Sequence, residues 1–224
     1  MLFKKYLSIG FAGIKAQHIF AFVPVVVAYV LIPLINLLFL KKYGVGDDLY
    51  ISIVCFTQLL LPFFSVWWVF FMLREYVEGA GSELLYVCDK NGQIITVVMT
   101  WLIYIIMLVP LYTVYFICFR MMALEFVRII CESLLMLGLL YICINLLNST
   151  SLSVIPVFLY IIANISAKNE SVFLYYTLNE ISGVSSLKKY FIQALFGAVM
   201  LLAGEICSRI RRKVNWRLSD QTEK

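Results

Sequence analysis

Six apolar stretches, separated by short polar segments, account for most of the chain. Each is long enough, or nearly so, to cross a hydrocarbon core of about 30 Å as a helix. The pattern therefore predicts an all-α, polytopic membrane protein. Its six transmembrane helices are placed at Ile19–Leu40, Leu49–Leu73, Ile94–Phe119, Phe126–Leu147, Ser151–Ile165 and Tyr190–Ile206.

Proline and asparagine positions predict irregularities within these helices. The fifth stretch is the shortest and carries Asn164, so we expect it to be tilted, broken or partly re-entrant. Every proline falls inside an apolar stretch, where neighbouring helices can satisfy the carbonyl that loses its donor. We therefore expect kinks near Pro24, Pro33, Pro62, Pro110 and Pro156.

Residues 1–18 are too polar to cross a membrane. Lys4, Ser8 and Lys15 recur at helical spacing and would share one face. This favours an amphipathic helix that lies in the membrane interface. A signal peptide is the alternative, because Lys4 and Lys5 precede a short apolar run, but no A-x-A cleavage site follows.

Composition and charge support the membrane interpretation. Hydrophobic residues make up 63% of the chain and charged residues 14%, with mean hydropathy +0.95, whereas soluble domains are about half apolar and a quarter charged. Residues 19–210 form a single transmembrane domain, and residues 211–224 form a basic cytoplasmic tail. Beside a membrane helix, the basic residues of 209–217 indicate contact with anionic lipid rather than with nucleic acid.

An even number of spans places both termini on one side of the membrane. Assigning that side to the cytoplasm puts most lysines and arginines inside. The inside loops are then residues 74–93 and 148–150. The outside segments are residues 41–48, a tight turn around Arg120–Glu125, and residues 167–189.

Motifs for self-contained chemistry are missing from the sequence. It has no P-loop and no H-E-x-x-H, its single histidine is His18, and its six cysteines include no C-x-x-C. We therefore expect no catalytic residues, no metal site and no directly bound cofactor.

Polar groups within the apolar stretches are few. Glu132 follows Arg128 by four residues, and the favoured interpretation is an interfacial ion pair that extends outward toward the headgroups. A carboxylate that lines a path is the alternative. Glu205 and Arg209 are interpreted as a topology anchor. The candidates for a translocation path, or for hydrogen bonds between helices, are Asn36, Gln58, Glu132, Asn145 and Asn164.

The inside loop after the second stretch carries an unusual concentration of glutamate and glycine. Two short helical pieces hinged at Gly79–Gly81 would suit it, with Ser82 as a cap and Glu83 in the following first turn. Anionic lipid headgroups repel acidic side chains, so we expect this loop to contact a protein rather than the membrane surface. The alternative is an ordinary solvated loop.

This loop resembles the coupling region of type-2 ABC exporter permeases, which show an E-x-x-x-G-[TS]-x-E-x-L-L-like pattern after the second of six spans. The layout of an interfacial helix, six spans and a longer outside segment before the sixth is also similar. The chain departs from the pattern after the two leucines, where Cys88-Asp89-Lys90 replaces a proline-containing continuation. The residues assigned by this resemblance to an ATPase-coupling loop are Glu75, Glu78, Gly79, Gly81, Ser82, Glu83, Leu84 and Leu85.

The resemblance implies a permease subunit in a bacterial plasma membrane. It would pair with a second permease, identical or not, and with separate ATPase subunits that hold ATP and Mg²⁺. The cargo would be a drug, an antimicrobial peptide or a lipid-like molecule moved outward. Two alternatives stay open: a substrate-capturing membrane subunit of a vitamin uptake transporter, and a non-transporting immunity or scaffold protein.

Overall fold

The computed structural model describes residues 11, 13–15, 17–78, 92–166 and 187–222, with backbone alone at 75, 92, 165–166 and 211–222. Regular structure in this part of the chain is entirely helical. Six helices follow one another: α1 (His18–Tyr43), α2 (Asp47–Glu78), α3 (Gly92–Cys118), α4 (Met122–Leu147), α5 (Thr150–Ser166) and α6 (Lys188–Thr222).

Five of these helices, all except α5, are long and apolar enough to cross a membrane. The prediction of an all-helical architecture with several helices long and apolar enough to cross a membrane is confirmed for the described residues. Helix α5 has 17 residues, which corresponds to about 25 Å at 1.5 Å per residue. The sixth crossing therefore stays a prediction.

The helices differ from the predicted stretches mainly at their ends. Helix α4 begins at Met122, so the turn expected around Arg120–Glu125 is shorter, and Glu125 lies inside the helix. Helix α5 is continuous from Thr150 to Ser166, so of the three forms expected for it the broken one is excluded. Helix α6 continues through the basic tail to Thr222. Most of the predicted interfacial helix at 1–18 lies outside the described residues.

Two helices change geometry near proline. Helix α2 consists of Asp47–Phe64 and Trp67–Glu78, and its regular α-helix is interrupted at Ser65 and Val66, just after Pro62. Proline lacks the N–H of a helical residue, and its ring crowds the preceding turn. The Tyr104 hydroxyl of α3 donates to the Leu61 carbonyl at 2.7 Å, so a neighbouring helix bonds to the backbone beside this interruption. In α1, a π-helical turn at Val27–Leu31 directly precedes the segment that begins Ile32-Pro33.

Helix α4 lies at the centre of the bundle, in contact with α2, α3, α5 and α6. Its contact with α6 is closest, because glycines remove side chains from the interface. A Cβ atom on Gly138 would lie 2.3 Å from the Gly197 carbonyl oxygen, and one on Gly197 would lie 2.6 Å from the Leu134 oxygen. Small residues permit such close approach of membrane helices.

Apolar side chains also cover the outside of the bundle. Helix α1 is the most peripheral span, with 22% of its apolar window buried, against 67% for α4. Ile19, Val30 and Leu37 of α1 are all more than half exposed. Lipid tails suit such a surface, whereas water does not.

The two ends of the bundle can be distinguished by their turns. The Met122 end contains the starts of α2, α4 and α6, and the Thr150 end contains the start of α5 and the end of α2.

Candidate functional site

Three ionisable side chains of α4 form a buried cluster toward the Met122 end. Glu125, Arg128 and Glu132 are three and four residues apart, so they share one helix face. Arg128 Nε lies 2.8 Å from Glu132 Oε1, and Arg128 Nη1 lies 3.5 Å from Glu125 Oε2. No side chain of the three is more than 2% exposed. We call these residues the ion cluster.

The burial of the ion cluster corrects the interpretation that Arg128 and Glu132 form an outward-facing interfacial pair. Long charged side chains reach the headgroups where a helix faces lipid, but this face of α4 points into the bundle. Glu125 joins the cluster because α4 begins one turn earlier than predicted. Removing one partner of a buried ion pair typically costs about 3–5 kcal/mol, so we expect the three groups to act as a unit.

Side chains from three other helices surround the ion cluster. Gln58 of α2 donates from Nε2 to Glu125 Oε2 at 3.2 Å. The Tyr190 ring of α6 lies 4.5 Å from Arg128 Cζ, in a cation–π contact. Tyr112 of α3 is buried and lies within electrostatic reach of both carboxylates. The ion cluster therefore links α4 to α2, α3 and α6.

Two acceptor oxygens beside the ion cluster have no hydrogen-bond partner among the described residues. They are Glu132 Oε2 and Gln58 Oε1, whose residues are 0% and 1% exposed. Because Gln58 Nε2 contacts Glu125, the amide oxygen on the same carbon also lies next to the cluster. A buried acceptor without a partner costs about 1–3 kcal/mol. Such atoms often mark the position of a donor supplied by water or a ligand.

A shallow groove lies between α3 and α4, next to the ion cluster. It opens on the outside of the bundle and has a volume of about 180 Å³. Tyr112 borders both features, since its ring lines the groove and packs 4.8 Å from the Phe126 ring. The groove is lined by Val109, Tyr112, Thr113, Phe116, Met122, Ala123 and Phe126.

At the Thr150 end, the Glu78 carboxylate caps the start of α5. Its Oε1 accepts hydrogen bonds from the Thr150 backbone N–H at 2.9 Å and from the Thr150 hydroxyl at 2.7 Å. Arg74 Nε lies 3.5 Å from Glu78 Oε2. The first N–H groups of a helix lack internal partners, and a negative charge there is favourable. The last residue of α2 therefore holds the first turn of α5.

The remaining residues of the predicted coupling loop fall into two groups. Glu75 lies in α2, three residues before Glu78. The others, Gly79, Gly81, Ser82, Glu83, Leu84 and Leu85, lie outside the described residues, as does the expected hinge. Glu78 thus has an internal contact that the sequence interpretation, which placed it on a docking surface, did not include.

A second polar contact ties α4 to α6 near the Thr150 end. The Tyr141 hydroxyl donates to Glu205 Oε2 at 2.8 Å, and Arg209 Nε lies 2.9 Å from Glu205 Oε1. The pair interpreted as a topology anchor is therefore also joined to the centre of the bundle.

The five predicted path residues do not form one line through the protein. Glu132 belongs to the ion cluster, and Gln58 contacts that cluster through Glu125. Asn36 of α1 donates to the Tyr115 hydroxyl of α3. Asn145 and Asn164 donate to carbonyls of their own helices, at Tyr141 and Tyr160. These two asparagines have further interactions as well.

Sequence reasoning missed several residues of these contacts. Glu125 carried a usable signal, because it precedes Arg128 by three residues, and helical spacing alone would have placed it on the Glu132 face. No sequence signal marked the other three, Tyr112, Tyr190 and Thr150, because their contacts depend on how helices distant in the sequence pack together.

Comparisons with protein-family models, with curated proteins and with solved structures found no match for this chain.

Proposed function

We propose that the chain is the membrane-spanning permease subunit of an ATP-driven ABC exporter, energised by a separate ATPase that binds ATP and Mg²⁺. Three features support this proposal. They are the helical bundle of membrane-spanning length, the loop sequence with glutamates at 75, 78 and 83, and the Glu78–Thr150 contact directly before residues 79–91. The resemblance of residues 75–85 to a coupling loop supplies the expected partner.

The Glu78–Thr150 contact is the observation that carries the proposal. Displacement of residues 79–91 would act on Glu78, which holds the start of α5 through two hydrogen bonds. A hydrogen bond to a charged group contributes about 1.5–3 kcal/mol. Helix α5 in turn packs on α4, the helix that carries the ion cluster. Movement of residues 79–91 by a bound ATPase would therefore move α2 and α5 together. Through α5 it would also displace α4, at the centre of the bundle.

The proposed complex contains a second permease subunit, identical or not. The groove beside the ion cluster is smaller than the roughly 300–1,000 Å³ of ordinary small-molecule pockets, so a cargo path needs additional space. An interface between two permeases would supply it. The Thr150 end and both termini would face the cytoplasm of a bacterial cell, and the cargo would be a drug, an antimicrobial peptide or a lipid-like molecule.

The proposal is tested by purifying the tagged chain from membranes of the organism that encodes it. We expect vanadate-sensitive ATPase activity to co-elute with the wild-type chain. Glu83→Lys should lower this activity several-fold, because it reverses a charge on the proposed docking segment. Asp48→Lys is the matched control, since Asp48 is exposed at the opposite end of α2 and should leave the ATPase bound.

Glu78 is unsuitable for this test, because its replacement would also release Thr150. Wild-type chain that purifies without ATPase activity would contradict the proposal. Equal loss of activity in Asp48→Lys and Glu83→Lys would contradict the assignment of the docking segment.

A further inference from the structure

The start of α1 is hydrogen-bonded to the second part of α2. Trp67 Nε1 donates to the Phe20 carbonyl at 2.9 Å. The neighbouring Trp68 Nε1 donates to the Ala21 carbonyl at 2.8 Å. Gln17, just before α1, donates from Nε2 to the Trp68 carbonyl at 3.0 Å. Three hydrogen bonds therefore join the two helices on the far side of the interruption in α2.

Apolar contacts extend this attachment along α2. The Phe20 and Phe71 rings are stacked with their centroids 5.5 Å apart. A Cβ atom on Gly13 would lie 3.4 Å from Met72 Cγ, so the chain before α1 also runs close to α2. The attachment thus covers more than one turn of α2 and is not a single point.

The later part of α1 is hydrogen-bonded to α3 instead. The Tyr29 hydroxyl donates to the Met107 carbonyl, and Asn36 Nδ2 donates to the Tyr115 hydroxyl. Apolar contact with α2 continues at this level. In the part of the chain that the structure describes, however, the hydrogen-bonded neighbour of α1 changes from α2 to α3 along its length.

Both helices have irregular geometry near the point where this neighbour changes. In α1, Pro24 and the π-helical turn at Val27–Leu31 follow the contacts with the tryptophans. The Phe20 carbonyl lies four residues before Pro24, which has no N–H to give it, and Trp67 donates there. In α2, the interruption directly precedes the two tryptophans. Protein hinges are formed by a few such residues at the ends of regular elements.

We propose that residues 17–23 and Trp67–Glu78 form one unit that tilts about these irregular turns, with Trp67 and Trp68 as its positioning residues. We call it the hinged unit. It ends directly before residues 79–91, so movement of that segment by an ATPase would be passed to α1. Because α1 is the least buried span, the movement would reach the lipid-facing side of the bundle. This role deepens the proposed function and rests on it for the driving force, although the hinge itself requires no ATPase.

The first measurement uses the chain without ATPase, in lipid nanodiscs, with two spin labels in a cysteine-depleted background. Phe22→Cys with Arg74→Cys lies within the hinged unit and is called the unit pair. Leu37→Cys with Arg74→Cys spans both irregular turns and is called the crossing pair. All three positions are exposed. Double electron–electron resonance should give a narrower distance distribution for the unit pair than for the crossing pair.

The second measurement repeats these distances in the double variant Trp67→Phe with Trp68→Phe. Aromatic rings remain, but both indole donors are lost, so the unit pair should widen to the distribution of the crossing pair. Trp67→Phe alone, at a partly exposed position, should produce part of this widening if the double variant does not assemble. Trp101→Phe is the matched control, because its indole bonds α3 to Ser133 of α4 at 2.9 Å, and it should leave the unit pair unchanged.

Equal widths of the two pairs in the wild type would overturn the hinge. An unchanged unit pair in both tryptophan variants, or equal widening in Trp101→Phe, would overturn the role of Trp67 and Trp68. Any of these results in a chain that co-purifies with an ATPase would sink this inference alone. The expected distances in a chain that purifies without ATPase activity would support the hinge and sink the proposed function.

Discussion

Arg128 lies between two acidic side chains in the ion cluster, so its environment depends on both. Sequence spacing correctly paired it with Glu132 but suggested an exposed, lipid-facing location. The error arises because periodicity identifies which residues share a helix face and does not identify what that face contacts. Burial changes the energetic role of the pair, since exposed ion pairs contribute about 0–1 kcal/mol and breaking a buried pair costs several times more.

Replacing Arg128 alone should be more destabilising than neutralising the whole ion cluster. Arg128→Met leaves two buried carboxylates close together, and we expect a loss of about 3–5 kcal/mol in the free energy of unfolding. The triple variant with Glu125→Gln and Glu132→Gln should recover much of that loss. Unfolding in SDS, followed by tryptophan fluorescence, measures both.

Arg74→Met is the control for this comparison, because Arg74 pairs with Glu78 at the same i,i+4 spacing but is 59% exposed. Its effect should stay below about 1 kcal/mol. A triple variant no more stable than Arg128→Met would contradict the view that uncompensated charge causes the loss.

The contact between Glu78 and the Thr150 hydroxyl should appear as a coupling energy. We expect Glu78→Ala and Thr150→Val to be non-additive by about 1 kcal/mol in a double-mutant cycle of unfolding. Ser52→Ala provides the control, because its hydroxyl bonds within α2 at the opposite end and should be additive with Glu78→Ala. Full additivity in the first cycle would exclude the Thr150 hydroxyl bond as an energetic link between α2 and α5.

At the scale of the elements, hydropathy predicted the helices well and their ends less well. Apolar runs locate the part of a helix that lies in lipid, whereas α2 and α6 continue through polar residues to Glu78 and Thr222. Backbone hydrogen bonds continue past the apolar boundary wherever no glycine or proline interrupts them. The start of α4 was misplaced for the same reason, and Glu125 was lost from the predicted site with it.

The interface between α4 and α6 was not predictable from hydropathy, yet its glycines should control it. Gly197→Ala would bring a Cβ atom against the Leu134 carbonyl and force the helices apart. We expect a loss of about 1–3 kcal/mol in the same unfolding assay, as for other overpacked cores. Gly46→Ala should be close to neutral, because no atom lies within 4 Å of the added Cβ. Equal stability of the two variants would mean that the helices are less closely packed than described.

At the scale of the whole molecule, the arrangement of the helices depends on contacts that the sequence does not display. Polar residues in apolar stretches were recognised; of the five candidates, Glu132 belongs to the ion cluster and Gln58 contacts it through Glu125. The Gln58 contact requires α2 to lie against α4, which neither hydropathy nor charge predicts. The Glu78–Thr150 contact is likewise formed between residues 72 positions apart.

The orientation of the bundle leads to a prediction that also decides the number of spans. In a cysteine-depleted background, Val45→Cys should react only with reagent applied outside, and Arg74→Cys only with reagent applied inside. Both positions are exposed at opposite ends of the bundle. Ser219→Cys should behave like Arg74→Cys if α5 crosses the membrane, because six crossings return the tail to the inside. Labelling of Ser219→Cys on the Val45 side would mean that α5 does not cross. It would also place residues 211–222 away from the cytoplasmic lipid that their positive charge favours.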